Sequence, residues 1–167
     1  MAEESKLKWE GKAIVELPGT GAEAVWPFLE DFCNLHKCFP IDTSYQVEGI
    51  QGQPGLIRYC ASTIKGDDAA DETTIKWAKE KLLTIDPVQR CLSYEIVDNN
   101  IGFKSYVATL KVVPVNGDDA KLAGCKIEWG FVSDPMEGWS FQDLKSYIES
   151  SLQFMANKID QLECSEN

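Results

Sequence analysis

A single histidine, His36, is the only imidazole this chain has. No Gly-x-Ser-x-Gly elbow accompanies it and no glycine-rich phosphate loop occurs, so hydrolase triads and nucleotide-binding motifs have no support. Cations are also scarce: 16 Lys and Arg stand against 27 Asp and Glu, a net charge of -11. They are scattered singly among acids. A surface of this sign repels phosphate backbones and anionic lipids, so nucleic acid is not an expected partner. No run approaches the roughly 18 apolar residues of a membrane-spanning helix, and membrane insertion is not expected. The start, Met1 to Lys6, leads straight into an alternating segment with no apolar stretch of signal-peptide length.

Six cysteines (Cys33, Cys38, Cys60, Cys91, Cys125, Cys164) include no Cys-x-x-Cys pair. A chain of this length builds its own core without disulfide staples, so buried reduced thiols and a cytoplasmic location are expected. Cys33, His36 and Cys38 are close in sequence, but helical geometry turns Cys38 away from the Cys33–His36 face. Neither a metal nor a cofactor is expected, and protein partners cannot be read from the pattern.

What is present is periodicity. The 167 residues suit one domain, with a structured core expected over about 7–163. Trp9, Ala13, Val15 and Leu17 alternate with Lys8, Glu10, Lys12 and Glu16, a half-buried strand ended by Pro18-Gly19. Thr20 and Glu23 have the spacing of a capping box, and Pro27 should bend the helix they open, giving two short helices over roughly 21–29 and 31–38. From Tyr45 to Ser133 the pattern is nearly all strand. Turn signals at 52–55, 66–68, 86–87, 98–100 and 116–118 cut it into six segments, and such short turns favour an antiparallel meander. Ser140 with Asp143 forms a looser capping box. Beyond it Phe141, Leu144, Ile148, Leu152, Met155, Ile159 and Leu162 recur at helical steps. One strand, two short helices, six strands and one long helix predict an α+β fold: a curved seven-stranded antiparallel sheet wrapped on a long C-terminal helix, since that packing buries both apolar faces.

Counting by twos gives the inner face. Tyr106, Ala108, Leu110 and Val112 point in, as do Cys125, Ile127, Trp129 and Phe131, and Tyr94 with Ile96. Glu80 shares the inner face with Ala78 and Leu82 if Lys79 and Lys81 are solvated, although Trp77 lies on the lysine side. Arg58 shares a face with Leu56 and Cys60, but Ile57 and Tyr59 opposite are equally apolar, and the count leaves Arg58 open. A buried carboxylate needs a partner, and Arg58 is the obvious one. The pair is either a structural ion pair or rim charge, or a polar cluster that orients a ligand or moves a proton. The ligand-binding set expected around it is Tyr94, Leu110, Trp129, Phe131, Ile148 and Leu152.

Four blocks carry a resemblance: Lys8-Trp9-Glu10-Gly11-Lys12, Asp31-Phe32-Cys33-Asn34-Leu35-His36-Lys37, Ile57-Arg58-Tyr59 and Trp77-Ala78-Lys79-Glu80-Lys81-Leu82. The chain, from about Lys8 to Leu162, resembles the plant lachrymatory-factor synthases. Through them it is similar to the superfamily of the major birch-pollen allergen, START lipid-transfer domains and polyketide cyclases, which implies a helix-grip fold. The resemblance implies Arg58, Glu80 and Tyr106 as catalytic residues, with Tyr94 nearby, for rearranging a small sulfenic acid to a thial S-oxide. Arg58 would hold the sulfenate oxygen and Glu80 would shuttle a proton. The stretch from Ala61 to Ala70 departs from the synthase pattern and is expected to shape the pocket mouth. The abscisic acid receptors share the Glu80 and Tyr106 positions, but their Ser-Gly-Leu-Pro-Ala gate and His-Arg-Leu latch are absent, which disfavours an abscisic-acid-receptor-like regulator. The sequence thus points to binding of a small hydrophobic or amphipathic ligand (lipid, hormone-like or secondary metabolite), with a cofactor-free isomerase or cyclase as the alternative.

Overall fold

A computed structural model describes residues 7–65, 73–115 and 124–164. Strand β1 (Trp9–Leu17) leads into helix α1 (Ala22–Glu30) and a 3-10 helix (Phe32–Lys37). Six strands follow: β2 (Thr43–Glu48), β3 (Ile57–Lys65), β4 (Thr73–Asp86), β5 (Cys91–Asn99), β6 (Val107–Val115) and β7 (Gly124–Ser133). Helix α2 (Phe141–Cys164) closes the order. All seven strands form one antiparallel sheet in the order β1-β7-β6-β5-β4-β3-β2. Each strand from β3 to β7 pairs with its predecessor, as short connections dictate, and β1 pairs with β7. The turn signals at 66–68 and 116–118 lie outside the described residues.

The alternation of each strand becomes the concave face. Tyr106, Ala108, Leu110 and Val112 are buried, as are Cys125, Ile127, Trp129 and Phe131. The α2 stripe of Leu144, Ile148, Leu152, Met155 and Ile159 is buried against them. Only a helix across the concave side satisfies both surfaces, which is the helix-grip arrangement. Among the described residues no helix is long and apolar enough to cross a membrane.

The two helix starts turn out differently. At α2 the reciprocal box forms: the Ser140 N–H donates to Asp143 Oδ2 (2.8 Å) and the Asp143 N–H donates to Ser140 Oγ (3.0 Å). At α1 the expected Thr20–Glu23 box does not. Gly21 occupies the N-cap without a side-chain cap. The Thr20 hydroxyl instead donates to Asp160 on α2, and Glu23 pairs with Arg90. A long-range acceptor has taken the capping hydroxyl. Pro27 sits inside α1, and the break falls at Asp31, whose N–H bonds the Pro27 carbonyl (3.0 Å) before the 3-10 helix begins.

Among the described residues Cys33, Cys38, Cys60, Cys91 and Cys125 are free thiols. No group of three or more His, Cys, Asp or Glu is placed there to hold a metal ion.

Candidate functional site: an ion pair on the wall of an apolar cavity

β3 and β4 pair so that Arg58 lies directly opposite Glu80. Alternation puts Arg58 and Cys60 on the concave side of β3, with Leu56 just before it, and Ala78, Glu80 and Leu82 on that of β4; all six are buried. Arg58 retains 4% of its exposure and Glu80 9%. Arg58 Nε donates to Glu80 Oε1 at 2.7 Å, and Nη2 lies 2.7 Å from the same oxygen. Nη1 donates to the Phe32 carbonyl at 2.8 Å. The Phe32 ring packs against the guanidinium, 3.8 Å from Cζ to the ring centre, and Tyr94 packs at 4.9 Å. The 3-10 helix therefore has a second task beyond connecting elements, because it brings Phe32 to Arg58.

Burial keeps the neighbouring thiol and phenols neutral. Burial opposes the charge on Arg58, but the Glu80 carboxylate more than offsets it and holds the guanidinium above its usual range. Burial, then the charge of Glu80, pushes the Cys60 thiol up to about 12. Burial raises Tyr94 well above a phenol's ordinary value, with Tyr106 and Glu80 adding to it. Tyr106 is raised by burial too, against a hydrogen bond from Trp129, whose Nε1 donates to the Tyr106 hydroxyl at 3.2 Å. The ion pair thus faces a set of uncharged O–H and S–H groups.

Beside the pair lies a cavity of about 280 Å³. That is close to the lower end of the range for small-molecule sites. Arg58, Glu80, Tyr94, Tyr106, Leu110, Trp129 and Ile148 line it. Phe131 and Leu152, expected in the same set, do not. Phe131 is buried behind Tyr106, its ring stacked at 6.3 Å and 10°, and tilts against Phe141. Leu152 is buried in the packed core. Both face inward as the period requires, but the concave surface is larger than the hollow, and α2 packs most heavily on β1.

Several wall residues lie outside the expected set. Ile101 and Phe103 sit in the β5–β6 loop, where no period operates. Asn99 shapes that loop: its Oδ1 accepts from the N–H groups of Ile101 (2.8 Å), Gly102 (2.8 Å) and Phe103 (3.1 Å), and its Nδ2 donates to the Phe103 carbonyl (3.1 Å). Trp139 and Tyr147, both on the cavity wall, meet edge to face 6.1 Å apart. Lys76 also lines the cavity, and counting by twos along β4 from Glu80 through Ala78 would have found it. Of the stretch expected to shape the mouth, Ala61 and Ser62 line the cavity; beyond Lys65 it lies outside the described residues.

Three solved structures share this architecture. Ginseng major latex-like protein 151 from Panax ginseng is 21% identical, with a TM-score of 0.65 over 92% of this chain and 97% of its own. Norcoclaurine synthase from Thalictrum flavum, solved with dopamine and hydroxybenzaldehyde, is 18% identical, with a TM-score of 0.65 over 98% and 90%. A Thermobifida fusca protein is 22% identical, with a TM-score of 0.67 over 92% and 95%. At such identities the likeness concerns the fold alone. The family model for polyketide cyclase / dehydrase and lipid transport matches residues 12–162. A match over nearly the whole chain, on the fold described here, places this protein in the polyketide cyclase / dehydrase and lipid transport family.

Proposed function

We propose that the protein binds a small apolar or amphipathic molecule in its interior cavity. The observation that carries this is the cavity itself: about 280 Å³, walled mainly by apolar and aromatic side chains, with one buried ion pair on its wall. Closely packed interiors leave few voids larger than a water molecule. The apolar wall supplies affinity and the polar corner orientation. Native mass spectrometry of protein purified from its own source tests the reading. A retained small molecule of defined mass is expected; a bare chain that also shows no saturable uptake of apolar ligands contradicts it.

A second reading is favoured by one feature, the position of Glu80 on the cavity wall beside Tyr94 and Tyr106. There the protein is a lachrymatory-factor-synthase-like isomerase in which Glu80 relays a proton within a small sulfenic acid. A short alkenyl sulfenic acid, generated in place, would be converted to the thial S-oxide. Glu80→Gln would then lose about 10²–10⁴-fold in rate while keeping most affinity. Saturable binding without conversion above the uncatalysed rate retires the isomerase and leaves the binder.

A further inference from the structure

Three of the residues lining the cavity are charged: Arg58, Glu80 and Lys76. Arg58 offers an incoming anion no unbalanced charge, because Glu80 already pairs with it. Nε donates to Glu80 Oε1 and Nη1 to the Phe32 carbonyl, and Nη2 lies 2.7 Å from the same Glu80 oxygen, so three of its five N–H groups are engaged. Its charge is neutralised in place, and the rings of Phe32 and Tyr94 pack against it. Glu80 is the opposite case. Both contacts from Arg58 fall on Oε1, and Oε2 accepts no hydrogen bond among the described residues. A carboxylate has about four lone-pair sites, so an acceptor remains open on the cavity wall.

That open acceptor selects the chemistry of the entering group. A hydroxyl, phenol or ammonium can donate to Oε2 and satisfy it, and a bond to a charged acceptor is among the stronger ones. A carboxylate, sulfonate or phosphate would set a second anion beside Glu80, in surroundings of low dielectric and with no unpaired cation to receive it. Lys76 lies two residues beyond Ala78 on the same face of β4, exposed at the rim, and forms no ion pair among the described residues. Its ammonium can meet an anion at the mouth while its stem covers apolar wall.

We infer that the ligand enters with a hydrogen-bond-donating head, a hydroxyl, phenol or amine, which docks on Glu80 Oε2, and that any anionic group stays at the rim beside Lys76. The inference rests on the binding function proposed above and names the ligand chemistry. It differs from capture of a ligand oxygen by Arg58, which the synthase resemblance implies.

Three probes of one chain length test it: octanol, octylamine and octanoate, titrated calorimetrically near neutral pH into the wild type and into Lys76→Gln. The variant removes the rim cation from an exposed position and keeps the fold. Salt at about 0.5 M screens the general negative surface, so a remaining preference belongs to the cavity. In Lys76→Gln, octanol and octylamine are expected to bind at least about ten-fold more tightly than octanoate, the scale of one hydrogen bond to a charged group. Octanoate binding Lys76→Gln as tightly as octanol overturns the head-group rule while leaving the binding function intact. Saturable binding by none of the three in either protein overturns both.

Discussion

β3 and β4 present two opposite surfaces at the same register. On the concave side Arg58 faces Glu80, a charged pair enclosed by apolar neighbours. One residue along, Tyr59 lies opposite Lys79 on the convex side. There Tyr45, Tyr59 and Trp77 stack across β2, β3 and β4, with ring centres 5.0 and 6.0 Å apart. Tyr45 is 52% exposed. Charge is inside and aromatic surface is outside, the reverse of a simple hydropathy reading. Aromatic rings in contact shield one another where cross-strand pairs are close, so a convex ladder is tolerated. Buried charge has no such default tolerance and persists here only because each polar group near it has a partner or faces the hollow. The informative residues are therefore the buried polar ones.

The largest effect that separates the two faces is expected from Glu80→Leu. It leaves the Arg58 charge buried and unpaired and should cost about 3–5 kcal/mol in denaturant unfolding. Adding Arg58→Met should recover most of that loss, since replacing a whole buried pair is often neutral. A double variant no more stable than the single one would show that the pair does not act as a unit. On the convex face Tyr59→Ala should cost about 1 kcal/mol, the scale of an aromatic pair, and leave ligand binding unchanged.

The smallest effect near neutral pH is a titration. Burial holds Cys38 and Cys60 up to about 12, against an ordinary thiol value of 9.0. Between those values the folded chain keeps protons that the unfolded chain has released. Stability is therefore full below about pH 9 and falls as pH rises towards 12. Tyr94 and Tyr106, both raised, act in the same direction above pH 10. Cys60→Ala should flatten the alkaline limb of stability against pH; an unchanged limb would assign it elsewhere.

How much of this could be read from residue order depends on which face held the signal. β6 and β7 alternate cleanly, with Thr109, Lys111, Lys126 and Glu128 away from the core, and their inward residues follow from counting alone. Arg58 resisted the count because the Tyr45–Tyr59–Trp77 stack makes the convex face of β3 as apolar as the concave one. Register against β4, a long-range property, decides it. The α2 cap is local, two side chains exchanging bonds with each other's backbone, and its spacing showed it. Thr20 has similar spacing but a partner 140 residues away on α2, and no local pattern contains that. The extent of the hollow was equally hidden. Phe131 and Trp129 read alike in sequence, yet only Trp129 reaches the cavity, because packing between α2 and β1 determines where the space closes.

The central claim is that ligand enters the concave hollow beside Arg58 and Glu80 and leaves the aromatic convex face untouched. Tryptophan indole N–H resonances report the two faces separately, since Trp129 and Trp139 line the cavity while Trp77 stacks outside. Titration of the labelled protein with octanol should shift the Trp129 and Trp139 signals saturably and leave Trp77 in place. A saturable shift of Trp77 with Trp129 unmoved would contradict the account.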